Sequence, residues 1–140
     1  MRIGLVGCVK GKRSSAAPAR DLYTSSLFLG RRSHVERTCE EWVVLSALHG
    51  VVGPGHVLEP YDVTLNDASI PERRAWSAQV VRQLEERLGP LGDHTFELHA
   101  GRNYWGFGLR DALVGAGATV ENPTEGLRMG EQLRFYSGPR

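Results

Sequence analysis

MRIGLVGCV, residues 1–9, is a short apolar run that stops at Gly and charge. Its Ile3, Leu5 and Val6 suit a strand covered on both faces, the kind found in parallel sheets. Parallel neighbours need crossover connections, so helices are expected between strands. EWVVLSALHG at 41–50 supplies a second buried strand over 42–45, which a turn at HGVVGPG closes. HTFELHAG gives a third strand and ATVENP a fourth, edge-like one. Between the first two, SSLFLGRRSHVERTCEE carries Leu27, Phe28, Val35 and Cys39 at helical spacing, with Gly30 weakening the pattern. The clearest helix spans 69–88: Ser69 and Glu72 form a capping-box pair and Pro71 sits in the first turn. Trp76, Val80, Leu84 and Leu88 line one face, and Gly89-Pro90 stops it. NYWGFGLRDALVGAG predicts a further helix, VLEPYDVTLNDA an ordered loop, and GLRMGEQLRFYSG a short helix or turn.

The alternation predicts one α/β domain over residues 1–140, a mainly parallel sheet with helices on both faces. Ligands of such sheets bind beyond the carboxyl ends of the strands. The stretches there are 8–13, 46–50, 101–104 and 122–125. Composition narrows the partners. A formal net charge of +1 excludes a protein that coats nucleic acid by charge alone. Two unpaired-looking cysteines, Cys8 and Cys39, and no signal-like start point to a reducing cytoplasm, and the apolar runs are too short to span a bilayer.

CVKGKRSSAAPARDLYTSSLF, residues 8–28, holds Lys10, Lys12 and Arg13 around Gly11. A glycine that lets the backbone turn, flanked by cations, has the makings of an anion cradle. It lacks P-loop spacing, and no GxGxxG occurs, which disfavours triphosphate and dinucleotide enzymes. Cys8, beside those lysines, can become a thiolate nucleophile or stay a small core residue. LEPYDVTLND gathers Glu59, Tyr61, Asp62, Asn66 and Asp67 near His49, the parts that hold a planar base and activate water; the plainer reading is a turn with Asp capping backbone amides. Arg102 and Tyr104 follow the third strand, where they suit a phosphate and a base. His94 and His99 are an odd number of residues apart and face opposite sides of a strand, so no metal site and no cofactor are expected.

Taken in order, the first of these segments, LSALHGVVGPGHVLEPYDVTLND, HAGRNYW and GEQLRF resemble the DUF6884 family of bacteria and phages. That family is distantly similar to the uracil-DNA glycosylase superfamily and to an accessory domain of archaeal tRNA-guanine transglycosylase. The resemblance implies a three-layer α/β/α fold with a four-stranded sheet of order 2-1-3-4, and a cleft that accepts a nucleobase or nucleotide. Cys8, Lys10, Lys12, Tyr23 and Ser25 match the family's first motif. Ser46, His49, Gly50, Glu59, Tyr61 and Asp62 match the second; Gly101, Arg102 and Tyr104 the third; Gly130, Glu131 and Gln132 the last. The loop after the first strand lacks the water-activating Asp and aromatic partner of the uracil enzymes, so a carboxylate must come from Asp62 or Glu59.

The expected activity is hydrolysis of an N-glycosidic bond in a nucleotide, nucleoside or modified nucleic-acid base. Lys10, Lys12 and Arg102 would hold phosphate, Tyr23 or Tyr104 would stack on the base, Asp62 or Glu59 would serve the sugar, and His49 the departing base. A duplex would need a local stripe that adds Arg13, Arg31 and Arg32. Two alternatives are a silent nucleotide- or nucleic-acid-binding module and glycosyl transfer through a carboxylate nucleophile, as in nucleoside deoxyribosyltransferases. No membrane contact is expected, and the oligomeric state is left open.

Overall fold

A computed structural model describes residues 1–8 and 11–137. Its centre is a five-stranded mixed sheet of β1 (Arg2–Gly7), β3 (Glu41–Ser46), β4 (Gly50–Val52), β6 (Thr95–His99) and β7 (Thr119–Glu121), in the order β4-β3-β1-β6-β7. β3, β1, β6 and β7 run parallel, with Val6 opposite both Val44 and His99. β4 is antiparallel to β3. It lies where the sequence pattern predicts only a turn: Val52 pairs with Val44, and Gln83 Oε1 accepts the Val51 amide at 2.8 Å, so a helix side chain finishes the edge.

Every residue of β1 after Arg2 is buried, so both faces of the central strand are covered. On one face, α2 (Ser26–Thr38) packs against β1 and against α6 (Met129–Ser137). Gly30 makes that helix pair possible, since a Cβ there would stand 2.7 Å from the Tyr136 Cβ. The other face is covered by α3 (Ile70–Leu88), α4 (Arg102–Trp105) and α5 (Leu109–Gly115). α3 starts with the expected capping box, Ser69 Oγ accepting the Glu72 amide and Glu72 Oε1 accepting the Ser69 amide, and ends at Gly89. The expected helix after the third strand is divided between α4 and α5. The predicted loop before α3 contains β5 (Val57–Leu58), which pairs antiparallel with β2 (Ala17–Pro18); α1 (Ala19–Leu22) follows β2 directly. No helix of the described residues is long and apolar enough to cross a membrane.

Candidate functional site

β1 and β6 end side by side, and just beyond them lies a cavity of about 560 Å³. Its walls come from five places: Cys8 and Lys12 after β1, the amino-terminal half of α2, residues 62–64 and Asn66 before α3, Met129, Gln132 and Leu133 on α6, and Gly101 and Tyr104 after β6. Residues 11–13 are tied to residues 22–24 by a short ladder. Gly11, at φ 92°, accepts the Thr24 amide at 2.8 Å; Lys12 pairs with Tyr23, and the Arg13 amide reaches the Leu22 carbonyl at 2.9 Å. Ser25 caps α2 by accepting the Phe28 amide, so the positive end of that helix points at the cavity.

Arg31 is the unusual wall residue. It is 3% exposed, and its Nη1 and Nη2 donate to the Gly7 carbonyl at 3.4 Å and to Gln132 Oε1 at 3.3 Å. Its Nε has no partner, and none of the ion pairs among the described residues includes it. Burial pushes its pKa down, while Tyr136, Cys8 and Tyr104 favour the charged form. A buried guanidinium with donor capacity to spare and no carboxylate is a ready receptor for an anion. Cys8 Sγ and the Tyr104 hydroxyl sit 3.3 Å apart on the same wall, and burial, helped by Cys8, keeps the phenol protonated well above its usual range.

Beyond the end of β3 the polar groups face one another instead. The Tyr61 hydroxyl bonds the Tyr23 hydroxyl and, at 2.7 Å, Ser46 Oγ, which also accepts the amides of Leu48 and His49. Trp76 Nε1 donates to the Ser46 carbonyl at 2.9 Å. Burial raises the Tyr61 pKa, and Lys12 Nζ lies 4.8 Å from the centre of its ring.

The structure therefore brings Lys12 and Asp62 to one hollow, together with Cys8, Ser25, Gly101, Tyr104 and Gln132. It separates others from it. Tyr23 is 1% exposed and packed between Phe28 and Tyr61, so its ring has no face for a base. Ser46 and Tyr61 hold the neighbouring turn. His49 and Glu59 are exposed and outside the cavity lining, because the chain passes through β4 and β5 before it returns at Asp62. Arg102 and Arg13 are exposed and also outside the lining; Arg13 Nε donates to the Asp21 carbonyl. Glu131 accepts the Arg128 amide at the start of α6. Lys10 lies outside the described residues. Asp62 itself is exposed at the cavity mouth. The anchor that sequence reasoning missed is Arg31, read as one member of a surface stripe; the signal was an arginine on the same helical face as Phe28 and Val35.

A family model described as "Family of unknown function (DUF6884)" matches residues 3–138. The chain belongs to the DUF6884 family. A comparison of this DUF6884 chain with curated proteins finds no match.

Proposed function

We propose that this cavity binds a nucleotide and hydrolyses its base–sugar bond, as a cytoplasmic N-glycosidase whose fold is distantly like that of the uracil-DNA glycosylases. One observation carries the reading: a phosphate-type receptor made of Lys12, Arg31 and the start of α2 shares a single hollow with the carboxylate-bearing residue Asp62. Leu27, Val63, Met129 and Leu133 offer apolar surface for sugar and base, and Asn66 and Gln132 offer amides for the base edge. The volume suits a free mononucleotide, which spares the cost of drawing a base out of a duplex. In the reaction, water adds to the sugar C1′ as the C1′–N bond breaks. The base keeps the electron pair and takes a proton, and the Asp62 carboxylate accepts the proton lost by water. Its negative charge also stabilises the cationic sugar in the transition state.

The test is incubation with a panel of nucleosides and nucleoside 5′-monophosphates, with free base followed by chromatography. Release from at least one monophosphate is expected, with a loss of about a hundredfold or more in Asp62→Asn and unchanged binding. Full release by Asp62→Asn would remove the assignment. A second reading, binding without cleavage, draws on the exposure of Asp62 in the free protein. Tight nucleotide binding with no release over long incubation would select it.

A further inference from the structure

Behind the cavity wall, under α2 and α6, lies a polar cluster that the proposed hydrolysis does not use. His34 projects from α2, and Glu97 and His99 alternate onto one face of β6; one ligand atom of each lies within 4.8 Å of the other two. We infer that His34, Glu97 and His99 form a binding site for a divalent metal ion of the zinc class.

The geometry is close to what such an ion requires. His99 Nε2 is 2.9 Å and His34 Nε2 3.6 Å from the same carboxylate oxygen, Glu97 Oε1. Bonds of about 2.0–2.1 Å in a tetrahedral centre put neighbouring ligand atoms about 3.3 Å apart. Two imidazoles and a carboxylate are also the donor set that suits zinc. The ligands are held from behind, as metal ligands are. His99 Nδ1 and the Tyr136 hydroxyl are 2.6 Å apart, Arg2 donates to Glu97 Oε2 at 2.7 Å, and Thr38 Oγ1 donates to Oε1 at 3.3 Å. Access is one-sided. The His99 side chain is 0% exposed and that of Glu97 5%, but that of His34 is 18%, so an ion arrives past His34 and solvent supplies its remaining ligand. The ion replaces the hydrogen that His99 Nε2 shares with Glu97, and His99 Nδ1 then donates to the Tyr136 oxygen. Weighing histidines along one strand could not find this arrangement, because its second imidazole comes from α2.

The experiment is a titration of the metal-free protein with Zn²⁺ against a chromophoric chelator, alongside melting curves with and without the ion. One equivalent is expected, with a raised Tm. His34→Ala and His34→Gln should each weaken the affinity at least about tenfold while circular dichroism stays native, since His34 is the most exposed ligand. Cys39→Ser should leave the affinity unchanged. Absence of binding, retained affinity in both His34 variants, or loss of binding in Cys39→Ser alone would each overturn the site.

Discussion

Two corners of the sheet's carboxyl edge are built from similar residues and end in opposite states. Beyond β3, Ser46, Tyr61, Tyr23 and Trp76 use their polar groups on one another and on the turn at Leu48 and His49. Beyond β1 and β6, Arg31 Nε is left without a partner beside an open cavity. Satisfied buried groups fix a structure, whereas an unsatisfied buried cation keeps its binding capacity in reserve. The difference teaches that Ser46 and Tyr61 shape the hollow from outside, while Arg31 stands in its wall with donor capacity to spare.

That comparison breaks most readily at Arg31. Arg31→Met should weaken the binding of a nucleoside monophosphate by more than about thirtyfold, roughly 2 kcal/mol or above, while thermal stability holds or rises because an uncompensated buried charge is gone. Calorimetric titration and melting together check it; a large stability loss with unaltered affinity would make Arg31 structural. Next in size is Gly30→Ala. The added methyl meets the Tyr136 Cβ at 2.7 Å, so α6 is pushed from α2 at a cost of about 1–3 kcal/mol, and the α6 wall of the cavity loosens with it. Denaturant unfolding reads the first effect and ligand affinity the second.

Tyr61→Phe sharpens the comparison from the other corner. It removes the bonds to Tyr23 and Ser46 and should cost about 1–2 kcal/mol of stability, with affinity changed less than about threefold. A variant that is fully stable but no longer binds would move Tyr61 into the site. The smallest effect is in pH. Burial pushes the Tyr23 phenol up to about 12, so the folded state holds this proton more tightly than the unfolded chain does. Its contribution to stability is complete below the unfolded pKa of about 10 and declines as pH rises towards 12. Tyrosinate absorbance should show the native protein ionising this ring later than the unfolded chain.

Local patterns made much of the architecture legible. The four parallel strands and α3 were readable because apolar runs and a capping box are written in neighbouring residues. β4 was not, since its glycine-rich setting reads as a turn and only the pairing with β3 and the Gln83 contact make it a strand. In the site, Lys12 was legible from the strand-end rule and Asp62 from the acidic composition of LEPYDVTLND, and the structure places both at the cavity. Arg31 was visible as a cation but not as a buried one, because helix amphipathicity assigns arginine to solvent and its contacts to Gly7 and Gln132 are distant in sequence. The loss of His49 and Glu59 from the lining has the same origin, a path through β4 and β5 that spacing alone does not reveal.

The clasp between Gly30 and Tyr136 carries a consequence for how the protein is made. Every strand precedes Met129 in the sequence, but a polypeptide halted there lacks one wall of the hollow and the Gln132 contact to Arg31. The hollow is thus complete only after helix α6 has emerged and docked, so prematurely terminated products should lack it.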